Sequence, residues 1–240
     1  MVAAKKKIKD YLHLSMRKLK HRKGFGVHSP FAYSIITEVI EEKLPYYAYR
    51  RMQRTFDKQS PISFKVACLL LRLANRFHCR NVAELGCDGG YSILPLILTD
   101  SRLKVSALAT SQVVTEATER LAWLPARLSQ VSFLPQVHDL ATVSSLDMIV
   151  VNANPFEPAA VKPSPEQQAS AASELVEWVM SNSVENAVIF VHGIQSHHRL
   201  EQFWDQLCDR DDVSITMDLY DYGLAILKPR FFKQHYIVSF

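Results

Sequence analysis

The residues best suited to chemistry in this 240-residue chain lie together in the segment Glu84-Leu85-Gly86-Cys87-Asp88-Gly89-Gly90-Tyr91-Ser92. The apolar run that enters it, 81–85, is typical of a strand, and the apolar run that begins at Ser92 is typical of a helix. Glycines let the backbone turn sharply and let a ligand approach it, while the first turn of a helix presents free N–H groups. A strand, a glycine turn and a helix in this order bind nucleotide-like ligands in α/β proteins. The Glu84 carboxylate, near the strand end, can pair with an ammonium group.

Two further polar residues follow apolar runs later in the chain. Asn152 comes after the run 146–151, and His192 comes after the run 187–191. Ligand crevices form at the carboxyl ends of parallel strands, so both side chains are candidates for the chemical step. His192 is the candidate general base, and Asn152 is the candidate for orienting the substrate. The alternatives are a histidine that is hydrogen-bonded within its loop and an asparagine that only ties its own loop in place.

The elements that position these residues alternate along the chain. Runs typical of strands lie at 81–85, 103–109, 131–134, 146–151, 187–191, 213–219, 222–227 and 236–240, and the main helical patterns lie at 63–77, 92–98, 112–123, 164–180 and 198–208. This alternation predicts an α/β fold, Rossmann-like and doubly wound, with a mainly parallel sheet. The last strands lack intervening helices, which predicts an antiparallel C-terminal edge. Residues 1–59 are expected to form a basic N-terminal helical extension and cap, followed by a domain that spans 60–240.

The glycine segment resembles that of the class I S-adenosylmethionine-dependent methyltransferases. Glu84, Gly86, Gly90, Tyr91 and Ser92 match the Glu-(Ile/Leu)-Gly-x-x-x-Gly-Tyr-Ser motif of the O-methyltransferases of the catechol and caffeoyl-CoA type. The resemblance covers most of the chain after the N-terminal extension, by order of elements more than by identity. It implies a seven-stranded sheet, S-adenosylmethionine as the cofactor, and these five residues as the positions that contact the amino-acid end of the cofactor.

The resemblance is incomplete around the rest of the cofactor. In such enzymes an acid at the end of the second strand accepts hydrogen bonds from both ribose hydroxyls, and here Ala109 stands at that position. Thr110 or Ser111 would contact the ribose more weakly, because a neutral hydroxyl is a poorer acceptor than a carboxylate. Asp139, after the third strand, is expected near the adenine.

The acids that bind a metal ion in the metal-dependent members are also replaced. Those members carry Asp at the end of the fourth strand and Asp-Asn at the end of the fifth, where this chain has Asn152-Ala153-Asn154 and His192-Gly193. A hard divalent cation prefers charged oxygen ligands, so we expect no metal site.

The predicted function is therefore metal-independent methyl transfer to an unidentified acceptor, for which a hydroxyl-bearing compound is one option. The acceptor stays open, because the whole chain, with its Gly-Val-His-Ser-Pro-Phe loop at 26–31 and its Lys-Gln-His-Tyr tail at 233–236, resembles a group of bacterial methyltransferase-like proteins of unassigned substrate. Two alternatives remain. One is a catalytically degenerate methyltransferase fold that binds a ligand or partner, and the other is a nucleic-acid or membrane-surface protein.

The second alternative depends on the N-terminal arm, residues 1–23. The arm carries nine Lys and Arg residues and one acid, Asp10, whereas the net charge of the whole chain is only +4. Such a basic arm predicts contact with anionic lipid or nucleic acid. The alternative is that its apolar stripe packs on its own domain or in a homodimer. Four cysteines without a CxxC pair predict reduced thiols. No apolar run is long enough for a bilayer, so we expect a cytoplasmic protein, peripheral to the membrane if the arm binds lipid.

Overall fold

A computed structural model describes residues 26–135, 139, 143–152 and 165–240. Its strands are β1 (Asn81–Leu85), β2 (Lys104–Leu108), β3 (Val131–Leu134), β4 (Leu146–Val151), β5 (Ser183–His192), β6 (Ile215–Asp218), β7 (Tyr222–Ile226) and β8 (Gln234–Ile237). They form one sheet with the strand order β3-β2-β1-β4-β5-β7-β6-β8.

The described helices fill the connections between these strands and cover the sheet. They are α1 (Pro30–Ile35), α2 (Tyr47–Met52), α3 (Phe64–Arg76), α4 (Ile93–Thr99), α5 (Ser111–Leu121), α6 (Pro125–Leu128), α7 (Pro165–Asn182) and α8 (His198–Asp209). A π-helix, Ile36–Ile40, continues α1, and a 3-10 turn, Gln53–Thr55, continues α2. None of the described helices combines the length and the apolar character that crossing a bilayer requires.

The sheet is parallel from β3 to β5 and antiparallel where β5 meets β7 and β7 meets β6. The predicted doubly wound, mainly parallel sheet with an antiparallel C-terminal edge is therefore confirmed. The sheet holds one strand more than the expected seven, because β8 pairs with β6 in parallel. This extra strand satisfies backbone groups of β6 that an open sheet edge would leave unpaired.

Alternate residues of the central strands enter two separate cores, one on each face of the sheet. Val82 of β1 packs in the core that contains residues of α3 and α4. Ala83 and Leu85 pack in the core that contains residues of α7 and α8. Side chains alternate along a strand, so Glu84 lies on the same face as Val82, where its carboxyl is fully buried.

The described part of the N-terminal extension packs into the core that contains α3 and α4. Helix α1 begins with Pro30 at its first position, and the Ser29 hydroxyl accepts a hydrogen bond from its first turn. The buried Arg72 of α3 donates to the carbonyl of Val39 at 2.5 Å and to the hydroxyl of Tyr49 at 2.8 Å. These bonds join α3 to the π-helix and to α2.

The basic arm, 1–23, lies outside the described residues. Its contacts with lipid, nucleic acid or a second subunit therefore stay predictions, as does the division of the chain into residues 1–59 and 60–240.

Candidate functional site

The glycine turn connects β1 to α4 at the carboxyl edge of the parallel strands. Gly86, Gly89 and Gly90 have φ angles of 80°, 76° and 92°. A Cβ on Gly90 would lie 3.3 Å from the Cα atom of Ala117 in α5. Side chains rarely adopt such a φ, and the approach of α5 is close enough that a Cβ would force it to shift. Glycine at this position therefore lets α5 pack directly on the turn.

Four polar side chains form a hydrogen-bond network beneath this turn. Asn152 Nδ2 donates to Glu84 Oε1 at 2.9 Å and to Ser92 Oγ at 3.3 Å. Ser92 Oγ donates in turn to Asp88 Oδ2 at 2.6 Å, and the Ser92 N–H donates to Asp88 Oδ1 at 3.0 Å. The structure thus brings together three predicted site residues, Glu84, Ser92 and Asn152, which come from β1, the start of α4 and the end of β4.

Two oxygens of this network, Glu84 Oε2 and Asn152 Oδ1, have no hydrogen-bond partner among the residues that the structure describes. Glu84 and Ser92 are 0% exposed and Asn152 is 3% exposed, so water does not reach these oxygens freely. A buried acceptor without a partner costs free energy. When Glu84 is ionised, both of these atoms are acceptors, so two positions of the network then lack hydrogen-bond donors.

The same site also carries two neighbouring carboxyl groups. Burial raises the pKa of the Glu84 carboxyl well above its ordinary value and the charge of Asp88 raises it further, although hydrogen bonds from the Cys87 side chain, the Asp88 backbone and Ser92 oppose the rise. Burial likewise raises the pKa of Asp88, although hydrogen bonds from Ser92 oppose the rise. A nearby positive charge would favour the ionised form of both groups. The site therefore favours a ligand that brings both donors and positive charge.

A metal ion suits these residues poorly. Glu84, Cys87 and Asp88 each place one potential ligand atom within 4.8 Å of the others. However, burial strongly raises the pKa of the Cys87 thiol, and cysteine binds metals as the thiolate. The Asp88 carboxylate also already accepts hydrogen bonds from Ser92 on both of its oxygens. The absence of a metal site stays a prediction.

His192 ends β5, one strand away from Asn152. The parallel register of β4 and β5 places the two residues at the same level of the carboxyl edge. The His192 ring stacks on Tyr222, with ring centroids 5.1 Å apart and planes 19° apart. Burial lowers the pKa of His192, and Asp221 opposes this shift. The imidazole is therefore neutral near pH 7, the form that accepts a proton.

The remaining predicted cofactor residues lie outside the network. Thr110 precedes α5 as an exposed residue whose side chain makes no capping hydrogen bond. Ala109 directly follows β2 and is 6% exposed. The Tyr91 ring packs beneath the guanidinium of Arg120, 4.0 Å from the ring centroid. Asp139 follows β3, and its place near an adenine stays a prediction.

Sequence reasoning missed two residues that shape the site, Asp88 and Arg120. Asp88 carried a usable signal, because an acid shortly before an apolar helix is a pattern typical of helix starts. Arg120 donates to the carbonyl of Gly89, which lies 31 residues earlier in the chain. A contact over that separation has no local sequence signal.

No protein-family model matches the sequence. No curated protein matches it either.

Solved structures, by contrast, match most of the chain. TomG from Streptomyces achromogenes, an O-methyltransferase involved in tomaymycin synthesis and solved with S-adenosylmethionine, is 18% identical, with a TM-score of 0.56 over 81% of this chain and 96% of TomG. The O-methyltransferase from Bacillus cereus, solved with S-adenosylhomocysteine, is 16% identical, with a TM-score of 0.57 over 81% of this chain and 97% of its own. The methyltransferase PaMTH1 from Podospora anserina, also solved with S-adenosylhomocysteine, is 13% identical, with a TM-score of 0.56 over 82% of this chain and 95% of its own.

At these identities the likeness establishes the fold. The chain has the fold of the class I S-adenosylmethionine-dependent O-methyltransferases, as the glycine motif predicts.

Proposed function

We propose that this protein is an S-adenosylmethionine-dependent methyltransferase. The observation that carries the proposal is the buried network of Glu84, Ser92, Asn152 and Asp88 at the glycine turn. It combines two oxygens that lack donors among the described residues with two carboxyls of raised pKa. It occurs in the fold that in TomG and the Bacillus cereus enzyme is solved with S-adenosylmethionine or S-adenosylhomocysteine.

The network suits the methionine end of S-adenosylmethionine. Its ammonium group would supply the donors that Glu84 Oε2 and Asn152 Oδ1 lack, and also the positive charge that the two carboxyls favour. Because neither oxygen is exposed, we expect the glycine turn to open locally when the ligand binds. Thr110 offers an exposed hydroxyl for the ribose in place of the missing acid.

Bound S-adenosylmethionine supplies a methyl group on a positively charged sulfur, which an acceptor atom attacks in line. His192 would take the proton from an acceptor hydroxyl, because its pKa is lowered and its ring is neutral at pH 7. Tyr222, stacked on that ring, would hold its orientation. Asn152 commits both N–H bonds of its amide to Glu84 and Ser92. We therefore assign Asn152 to the cofactor site rather than to orientation of the acceptor.

Binding is the first test, by calorimetry with S-adenosylmethionine and S-adenosylhomocysteine. We expect both ligands to bind the full chain and Asn152→Ala to weaken S-adenosylmethionine about tenfold or more, because it removes the donor that orders the network. Asn81→Ala is the matched control, since Asn81 is an exposed asparagine at the opposite end of β1. The absence of binding at millimolar ligand, or equal affinity in the two variants, would contradict the proposal.

Methyl transfer is the second test, and it also examines metal independence. Transfer of labelled methyl groups would be measured with a panel of hydroxylated aromatic and aliphatic acceptors, once with EDTA and once with Mg²⁺. We expect equal rates in the two conditions, since the chain has Asn152 and His192 where a hard cation needs charged oxygens. A strict requirement for Mg²⁺ would refute metal independence without affecting the binding result.

A second candidate function rests on Ala109, which leaves the end of β2 without a ribose acid. A degenerate fold that binds the cofactor or a related ligand without turnover has the same network. Tight binding of S-adenosylmethionine, combined with no transfer to any acceptor in the panel, would favour this function.

A further inference from the structure

A separate groove has a volume of about 630 Å³. We call it the arginine groove. Its described lining residues are Arg50, Arg51, Arg54, Thr55, Arg120 and Trp123. They come from α2, the 3-10 turn that follows it, and the C-terminal end of α5 and the residues just beyond it. None of them is a residue of the buried network.

The charge of the arginine groove is unbalanced. No acidic side chain is among its described lining residues. Arg50, Arg51 and Arg54 are exposed, and in the described part of the chain they form no ion pair and no side-chain hydrogen bond. Guanidinium groups bind phosphate oxygens through paired hydrogen bonds. Three such groups around one groove thus offer a site for a chain of phosphates.

An aromatic surface lies beside these charges. Trp123 is 45% exposed. The Arg51 guanidinium lies 5.8 Å from the centroid of its ring. An exposed indole next to cationic groups can stack the planar ring of a ligand whose phosphates those groups bind.

We propose that the arginine groove binds a nucleotide, with its phosphate chain on Arg50, Arg51 and Arg54 and its base on Trp123. The groove volume lies within the range of roughly 300–1,000 Å³ that is typical of small-molecule sites. The site also adjoins the glycine turn, because Arg120 lines the groove and donates to the carbonyl of Gly89. The proposal does not depend on methyl transfer and stands even if the chain binds no S-adenosylmethionine.

The test uses the full chain and three probes: ATP, inorganic tripolyphosphate and adenosine. Binding would be followed by calorimetry and by tryptophan fluorescence, with Trp123→Ala identifying the contribution of Trp123 among the three tryptophans of the chain. Saturating S-adenosylhomocysteine would be present so that the cofactor site is occupied. We expect ATP to bind and Arg54→Gln to weaken it about tenfold, as for the loss of a charge-assisted hydrogen bond. Trp123→Ala should weaken ATP but leave tripolyphosphate unchanged. Arg230→Gln is the control with the same change of charge, at an exposed arginine outside the groove.

Four results would overturn the proposal. The first three are the absence of ATP binding at millimolar concentration, displacement of ATP by S-adenosylhomocysteine, and equal effects of Arg54→Gln and Arg230→Gln. The fourth is tighter binding of a short single-stranded RNA, by more than about tenfold over ATP, with a loss of RNA affinity in Arg54→Gln. The last result would identify the groove as a nucleic-acid surface instead.

Discussion

At the scale of single residues, the Glu84 carboxylate has opposite effects on stability and on ligand binding: it destabilises the ligand-free protein but would bind the ligand. Its carboxyl is fully buried and its pKa is raised well above the ordinary value, so ionisation of Glu84 destabilises the ligand-free protein. A residue that reduces stability in this way is typical of a binding site, where a ligand later supplies the missing interaction.

We therefore predict that Glu84→Gln stabilises the ligand-free protein at pH 8 and abolishes its stabilisation by S-adenosylmethionine. The neutral amide removes the cost of a buried charge, and Tm should rise by about 2–4 °C for each kcal/mol gained. Thermal unfolding with and without the ligand measures both effects. Glu119→Gln, at an exposed position of α5, is the control and should change neither. A lower Tm together with an undiminished ligand shift would contradict the role given to Glu84.

His192 gives a second prediction at this scale. His192→Ala should lower the rate of methyl transfer to a hydroxyl acceptor by about 10²–10⁴-fold, the usual contribution of a general base, and leave the affinity for S-adenosylmethionine unchanged. In the unaltered protein the rate should fall as pH drops through the lowered pKa of His192, since only the neutral ring accepts a proton. His198→Ala, at an exposed histidine of α8, is the control. Full transfer activity in His192→Ala would exclude this base.

At the scale of elements, the contact between α5 and the glycine turn determines the shape of the site. A Cβ at Gly90 would lie 3.3 Å from both the Cα and the Cβ of Ala117. At Gly26, which also has a positive φ, a Cβ would meet no atom of the described residues within 4 Å. The two glycines thus separate the cost of backbone conformation from the cost of crowding.

We predict that Gly26→Ala lowers the free energy of unfolding by about 1–2 kcal/mol, the cost of a side chain at positive φ. Gly90→Ala should cost about 1–3 kcal/mol more, because α5 must also move away from the turn. Denaturant unfolding measures both values. Gly90→Ala should also weaken S-adenosylmethionine, whereas Gly26→Ala should not. Equal losses of stability would show that α5 yields to the added methyl group at no cost.

Much of this element arrangement could be predicted from the sequence. The runs at 81–85, 131–134 and 146–151 match β1, β3 and β4 in both bounds, because buried strands are short apolar runs between turn residues. The sequence pattern places the start of β5 at 187 instead of Ser183, because three of its first four residues are polar and form no apolar run. The π-helix Ile36–Ile40 was also missed, since its apolar spacing matches that of an α-helix.

Only the parts of the candidate site that form a local sequence motif, or that follow from the order of the strands, could be predicted. The residues from Glu84 to Ser92 form a local motif, and the strand ends at Asn152 and His192 follow from the parallel sheet. The hydrogen bonds that join Asn152 to Glu84 and Ser92 span 68 and 60 residues of sequence and depend on side-chain orientation. The arginine groove likewise joins α2 to the end of α5, so neither segment alone indicates a pocket.

At the scale of the whole molecule, the pH dependence of stability reflects two sets of carboxyl groups whose pKa values are shifted in opposite directions. Glu84 and Asp88 have raised pKa values, so their contribution is complete at acidic pH and is lost as pH rises through those values. Asp100 and Asp212 have lowered pKa values, because arginines donate hydrogen bonds to them. Their contribution is present above the unfolded pKa and is lost as pH falls. The ligand-free protein should therefore be most stable at mildly acidic pH.

A cationic ligand bound at the network would oppose the rise in the pKa values of Glu84 and Asp88, and this gives our final prediction. S-adenosylmethionine should lower the pKa values of Glu84 and Asp88 and thereby release protons on binding. Calorimetry at pH 6.5 in phosphate and in imidazole buffer, which differ in ionisation enthalpy, should give different observed enthalpies, whose difference reports the protons released. The amino group of the ligand stays protonated at this pH, because its ordinary pKa is about 7.7–8.0. Affinity should accordingly increase between pH 5.5 and pH 7, and Glu84→Gln should release fewer protons. Identical enthalpies in the two buffers would mean that the ligand does not meet the buried carboxyls, and the cofactor would then have to bind elsewhere on the sheet edge.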